Sequence, residues 1–261
     1  MGPVLRILAA AFLWSTIGVA ASLGREYLWI AFFRSLTASL AALAAEARPG
    51  RGALLPGLLL GGLFTVYPAA AIYAGIGNAA YLLYTAPLWT ALALALWGER
   101  PSRRDGVGVA LVFAAVALMA SSGGISGVGF AAGLASGLFY GLYIAAARRL
   151  AAGGRAVDAS LGAMPYTLAV TAPALLLKPS PPTLEAAAAG VYLGVFGTVL
   201  PYRLFASAVS RVGGAKASVL ASLEPVLAAL WGALFFGQRP TAPEAAAYVL
   251  ITAAAVAAAR K

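Results

Sequence analysis

Apolar residues run along this chain in ten stretches, each separated from the next by a few polar, glycine or proline positions. They are Val4–Ser22, Leu28–Ala45, Ala53–Gly75, Ala79–Trp97, Gly106–Ser121, Val128–Ala147, Ala159–Leu177, Leu184–Ser210, Ala217–Phe236 and Ala242–Ala259. A helix that spans a bilayer needs ~20 apolar residues, which these runs approach or reach. The connections, such as Arg48-Pro-Gly-Arg51 and Lys178-Pro-Ser-Pro-Pro182, are too short to hold a soluble domain. The pattern therefore predicts an all-α integral membrane protein of ten transmembrane helices.

Two of the runs begin alike and end alike. Ala86-Pro-Leu-Trp-Thr opens a stretch that closes on Gly98-Glu-Arg-Pro101, and Leu223-Glu-Pro-Val opens one that closes on Gly237-Gln-Arg-Pro240. Pro87 and Pro225 sit where they break the backbone ladder inside the membrane, which lipid tolerates only if protein or a cavity covers the freed groups. A third anchor lies upstream. Shifting by 133 residues aligns Gly57–Pro68 with Gly190–Pro201, and six of the twelve positions agree, including Thr65/Thr198 and Pro68/Pro201. The three anchors are collinear, so the chain reads as a duplication with units at residues 1–122 and 127–261. Each unit holds five spans, and five is odd, so the second must enter the membrane from the opposite side. That is an inverted-topology repeat, a construction secondary transporters use around a central binding site.

Composition agrees: 62% of the 261 residues are hydrophobic and 10% charged, with a mean hydropathy of +0.90. The net charge of +10, from 18 Lys and Arg against 8 Asp and Glu, would suggest a nucleic-acid partner in a soluble protein. Here the basic residues fall between apolar runs. With the N-terminus inside, thirteen of them lie on the cytoplasmic side and three (Arg25, Lys178, Arg239) outside. By the positive-inside rule both termini are expected in the cytoplasm, with a multi-pass location in a plasma membrane and no nucleic acid bound. The first run, long and followed by Arg25-Glu26, reads as an uncleaved span rather than a signal peptide. There is no cysteine and no histidine, and no nucleotide-binding loop, zinc spacing or dinucleotide fingerprint. Gly124-Ile-Ser-Gly127 has the letters of a serine hydrolase motif, yet such a serine needs a base to activate it. An enzyme is not expected, nor is any cofactor or metal.

Several segments resemble the drug/metabolite transporter superfamily, and within it the EamA family. They are Phe12-Leu-Trp-Ser15, Phe33-Arg34-Ser35, Gly137-Leu-Phe-Tyr-Gly-Leu-Tyr143, and the closing signature of Val212–Ser218, Leu223–Val226 and Gly237–Pro240. Two positions depart from that pattern: Gln238 stands where an acidic residue is usual, and Arg203 where a small or apolar one is. The resemblance implies a ten-helix bundle of two inverted halves around a cavity, working by alternating access.

The membrane charges are the sharpest functional candidates. A carboxylate well inside a span costs ~2.5–3.5 kcal/mol on insertion scales, so Glu224 must be paired, neutral or facing water. It reads either as a proton-coupling group or as a cap for the backbone that Pro225 frees. Arg203 lies at nearly the depth of Glu224 on the preceding run, at 1.5 Å per helical residue. It is expected either to pair with Glu224 or to snorkel to the interface. Arg34 has the same two readings, and the resemblance favours the cavity. Among the aromatics, Trp14, Tyr67, Tyr84, Tyr140 and Tyr202 are the candidate cavity lining. Pro68, Pro87, Pro201 and Pro225 are candidate hinges, with Pro68 and Pro201 expected to bend their helices at equivalent places. Gly129, Gly133, Gly137 and Gly141 recur at i, i+4 and predict a close helix contact.

The function these features suggest is secondary active export or exchange of small organic metabolites such as amino acids or amphipathic compounds. A proton or counter-substrate gradient would drive it. Antiport of phosphorylated or nucleotide-linked metabolites is the alternative, and a non-transporting scaffold or a channel is the reading from another class.

Overall fold

The computed structural model describes residues 1–99, 103–152, 160–178 and 180–259. Among them every regular element is helical. The expected connections around Arg100 and Gly153–Arg155, and the terminal Arg260 and Lys261, lie outside the described residues. The helices are α1 (Pro3–Ser15), α2 (Ile17–Gly24), α3 (Tyr27–Ala44), α4 (Leu54–Ala74), α5 (Ile76–Leu83), α6 (Ala86–Leu96) and α7 (Arg103–Ser121). They continue with α8 (Gly127–Ala152), α9 (Met164–Ala174), α10 (Leu184–Gly194), α11 (Leu200–Val212), α12 (Gly214–Ala221), α13 (Leu223–Phe236) and α14 (Ala242–Ala259).

Several apolar runs hold two of these helices end to end. In the first, Ser15 Oγ donates to the Phe12 carbonyl and Thr16 Oγ1 to that of Leu13, each at 2.7 Å. Hydroxyls that bond the preceding turn compete with the backbone ladder, and the run divides into α1 and α2 there. The eighth run divides at a π-turn, Val195–Val199, just ahead of Pro201. With such joins counted through, seven stretches among the described residues are long and apolar enough to cross a membrane: Pro3–Gly24, Tyr27–Ala44, Arg51–Ala74, Ile76–Leu96, Gly127–Leu150, Leu184–Val209 and Lys216–Phe236. Three shorter apolar helices, Gly106–Ser121, Leu161–Leu177 and Ala242–Val256, accompany them.

The outer surface is apolar: Leu96, Leu176, Leu177 and Leu184 are all more than four-fifths exposed. The interior instead buries Ser15, Arg34, Ser39, Thr85, Thr167, Thr198 and Glu224 beside alanine and leucine. That inversion of a soluble protein's pattern is what a lipid solvent selects, since backbone and side-chain polar groups must find partners inside.

The most extensive helix contacts all join a helix before residue 122 to one after residue 126: α4 with α8 and α9, α7 with α14, α3 with α10, and α1 with α11. The glycine row of α8 carries a further contact, along the end of α4, α5 and the start of α6. A Cβ at Gly129 would strike the backbone of Tyr73 and Ala74, one at Gly133 the Leu82 side chain, one at Gly137 Thr85 and the Leu82 carbonyl, and one at Gly141 the Ala86 carbonyl. Small residues at this spacing let two helix backbones approach closely. The two parts of the chain are interlocked rather than set side by side.

Two connections have the same backbone shape. Gly75 alone joins α4 to α5 with φ 89° and ψ 155°, and Gly213 alone joins α11 to α12 with φ 86° and ψ 139°. A side chain at such a positive φ is strained, which makes glycine the residue for both turns. Each turn is followed by an eight-residue helix, then by a break at Tyr84–Thr85 or at Ser222 ahead of the next proline.

Candidate functional site

Eight helices converge on a small cavity of about 30 Å³. Its walls are Trp14 from α1, Ile17 from α2, Arg34 from α3, Leu63 and Tyr67 from α4, Leu83 from α5, Tyr140 from α8, Tyr202 from α11 and Glu224 from α13. Aromatic rings close it. Trp14 meets the Tyr202 ring edge-on at 5.6 Å, and Tyr143 bridges Tyr140 and Tyr202 from behind.

The cation in this wall is Arg34, which is 3% exposed. Its Nε donates to Thr198 Oγ1 at 2.9 Å and its Nη2 to the Gly197 carbonyl at 3.3 Å. The guanidinium lies 3.9 Å above the Phe64 ring, a cation–π contact that partly replaces lost hydration. Among the described residues, these bonds engage two of the five N–H groups a guanidinium carries, leaving donors for a ligand.

The anion is Glu224, which is 7% exposed. Tyr84 Oη lies 3.0 Å from its Oε2 and 2.9 Å from the Ala221 carbonyl. Proline has no N–H, so Pro225 leaves the carbonyl four residues back, that of Ala221, without its helical partner. The Tyr84 hydroxyl reaches that carbonyl.

The cavity thus gathers Trp14, Arg34, Tyr67, Tyr140, Tyr202 and Glu224, and Tyr84 joins them through its bond to Glu224. Arg203 stands apart. It is exposed, lines none of the cavity, and among the described residues makes no ion pair with Glu224. The expected Arg203–Glu224 pair is corrected here. The depth estimate left out azimuth: successive residues turn by about 100° around a helix of 3.6 residues per turn. With Tyr202 facing the cavity, Arg203 is carried away from it. It shares a polar face of α11 with Ser207 and Arg211, all three exposed. That i, i+4, i+8 recurrence was the available signal.

The prolines also differ from one another. Pro68 lies inside the unbroken helix α4, whereas Pro201 follows the π-turn and starts α11. The expectation that these two act at equivalent places meets two different backbones. Arg34 supplies a physical reason, since it takes both Thr198 Oγ1 and the Gly197 carbonyl from within the π-turn. Pro87 and Pro225 each stand in the first turn of a helix, just after a break.

Thr198, Phe64, Ile17, Leu63 and Leu83 belong to the site without having been singled out in the sequence. Thr198 alone left a trace there, as the identity of the internal repeat with Thr65.

Away from the cavity, ion pairs join the two parts of the chain at separate places. Glu26 bonds Lys178 Nζ at 2.7 Å and both the amide and the hydroxyl of Thr183 at 2.8 Å. These donors, Lys178 foremost, hold the Glu26 carboxyl down at about 2. Elsewhere Glu99 pairs with Arg148 at 2.8 Å, and Arg149 stacks over Trp97. The Gln238 side chain accepts: its Oε1 takes the Ile76 amide at 2.8 Å and so caps α5 after the Gly75 turn.

The sequence and fold can be set beside known proteins. One family model, the EamA-like transporter family, matches residues 1–121 and again residues 127–260. An uncharacterized transporter from Archaeoglobus fulgidus is 29% identical over 247 residues, covering 90% of this chain and 88% of that one. A protein crystal structure shares the fold with a TM-score of 0.64 at 22% identity, over 98% of this chain and 96% of the other.

Proposed function

Because the chain belongs to the EamA-like transporter family, we propose that this multi-pass membrane transporter is a secondary active exporter or exchanger of small organic metabolites that works by alternating access. Membership in a transporter family points away from an enzyme. The observation that carries the reading is the cavity: a buried cation and a buried anion, set among aromatic rings inside apolar helices, around a space for little more than one water. A metabolite pocket needs roughly 300–1,000 Å³, so the arrangement reads as a closed state that opens by helix movement.

The ten-span, inverted-repeat reading has further support. One family model matches twice, the Gly75 and Gly213 turns share one geometry, and each leads into an eight-residue helix and a break. The turns of one part meet turns of the other: Glu26 meets Lys178, Ile76 meets Gln238, and Glu99 meets Arg148. Ten passes would put the first two pairs at one end and the third at the other, and we assign both termini to that second end. We take that end to be cytoplasmic, in a plasma membrane, because it holds most of the Lys and Arg.

Arg34 and Glu224 offer complementary charges to a zwitterion, which favours amino-acid-like or amphipathic compounds. Glu224 is the group to carry a proton when a proton gradient drives the cycle. The phosphorylated-metabolite alternative rests on one cavity arginine rather than two, since Arg203 faces away. The test is a thermal-shift screen of amino acids, sugars, phosphorylated compounds and organic cations on purified protein, followed by flux of the best binder in liposomes. Saturable uptake with counterflow is expected. Non-saturating flux would indicate a channel, and no flux a scaffold.

A further inference from the structure

Arg34 and Tyr84 share an arrangement that their roles in binding do not require. Both stand on the first part of the chain, and each donates to a backbone carbonyl on the second. In both cases that carbonyl lies four residues before a proline. Tyr84 Oη takes Ala221, four before Pro225; Arg34 Nη2 takes Gly197, four before Pro201. A buried carbonyl without a donor costs about 1–3 kcal/mol, so each proline break is completed by a side chain from across the cavity.

Both donors also have a second claimant. A hydroxyl carries one hydrogen, yet Tyr84 Oη faces two acceptors, the Ala221 carbonyl at 2.9 Å and Glu224 Oε2 at 3.0 Å. When Glu224 is ionised, its carboxylate is the stronger acceptor, and Ala221 loses its donor. When Glu224 carries a proton, its own O–H donates to the Tyr84 oxygen, and the tyrosine hydrogen is free for Ala221. The proton thus completes a chain from Glu224 through Tyr84 to the helix break between α12 and α13. Arg34 holds Gly197 by a long bond of 3.3 Å, and an anionic group that engages its remaining N–H groups would draw the guanidinium off that carbonyl.

We propose that Tyr84 and Arg34 are coupling residues: each completes a proline break in a helix of the opposite part of the chain, and the proton or anion in the cavity decides whether it does so. This rests on the transport reading above and adds to it how cavity contents reach the helices that must move. The charged and titratable groups facing Glu224 are Arg34 from α3, Tyr67 from α4, Tyr84 from α5, Tyr140 from α8 and Tyr202 from α11.

A substrate-free experiment tests it. Pro225→Ala returns an N–H to position 225, which can bond the Ala221 carbonyl within the helix and make the Tyr84 donation redundant. Tyr84→Phe is expected to lower Tm by several degrees in the native background and by less than half as much beside Pro225→Ala. Equal drops in both backgrounds would overturn the proposal. Arg34→Ala with and without Pro201→Ala is the parallel cycle, with the same expectation.

A spectroscopic measurement separates coupling from a merely structural bond. With 3-fluorotyrosine at position 84, the fluorine resonance should move with a single midpoint as pH rises from acid to neutral. It should stay still after Glu224→Gln, whose amide mimics the protonated acid. A resonance that is flat in the native background, or that still titrates without Glu224, would sink the relay even if the stability cycle held. The transport reading is decided separately. A flat resonance with intact counterflow removes the relay alone, and a titrating resonance without flux removes transport alone.

Discussion

At the scale of single residues, the two arginines make opposite predictions. Arg34 is buried with its bonds to Thr198 and Gly197, so Arg34→Ala strands a buried carbonyl and should cost about 1–3 kcal/mol. Arg203 is exposed and bonds nothing in the site, so Arg203→Ala should stay within about 0.5 kcal/mol. Thermal unfolding of the two variants in one detergent checks the contrast, and a reversed order would return Arg203 to the cavity. Glu26 makes a pH prediction. Its folded carboxyl titrates at about 2, below the ordinary glutamate value of about 4.3. A depressed value means stability that is present above the ordinary value and lost as pH falls toward the folded one. Native Tm should therefore decline between about pH 4.5 and pH 2, and Glu26→Gln should lack that part of the decline. These residues also show what a sequence withholds. Glu224, Arg34 and the lining aromatics were legible because a charge inside an apolar run, or an aromatic beside one, is conspicuous as text. The partner of Glu224 was not. Counting residues from a turn gives depth, and the choice between Arg203 and Tyr84 depended on rotation about the axis and on which helices are neighbours.

The elements make their predictions through close contact. Gly137 sits where a Cβ would overlap Thr85 Oγ1 and the Leu82 carbonyl, with backbone that cannot swing away. Gly137→Ala is expected to cost about 1–3 kcal/mol, the range for overpacking a filled contact. Gly127→Ala, at the start of the same helix with open space around it, should cost well under half as much. Equal losses, read from Tm, would mean that the close contact at Gly137 does not set the effect, since helix propensity alone favours alanine at both positions. The glycine row was visible in the sequence because its i, i+4 spacing needs no tertiary knowledge. The divisions within runs were not visible. Thr16, Ser222 and the π-turn at Val195–Val199 interrupt hydropathy by nothing, since hydroxyls bonded back to the helix and an extra residue in a turn are as apolar as the text around them. Prolines marked the neighbourhood of the breaks at Pro87, Pro201 and Pro225. They also marked Pro68, where α4 runs on unbroken, so a proline signals a freed carbonyl and the surroundings decide what becomes of it.

At the scale of the whole molecule, the interlocked packing implies that neither part of the chain is a separate body, and the proposed alternating access would be controlled where the two parts are tied together. One tie is Glu26 with Lys178 and Thr183; another, among residues we assign to the opposite end, is Glu99 with Arg148. If access alternates, each tie must open in part of the cycle, and holding either shut must stop turnover. The chain has no cysteine, so paired cysteines at Glu26 and Lys178, or at Glu99 and Arg148, introduce the only thiols. A short bismaleimide should link each pair, because the native side chains meet at 2.7 and 2.8 Å. The expected result is loss of liposome counterflow after linking at either place, with the unlinked double-cysteine proteins still active and the Tm of the linked ones raised. The Glu99–Arg148 bridge is exposed and contributes about 1 kcal/mol or less, and the half-buried Glu26–Lys178 pair is controlled by comparing each double-cysteine protein before and after linking. Flux that continues with both ties linked would mean that solute passes without these parts of the molecule separating, and alternating access would have to be abandoned.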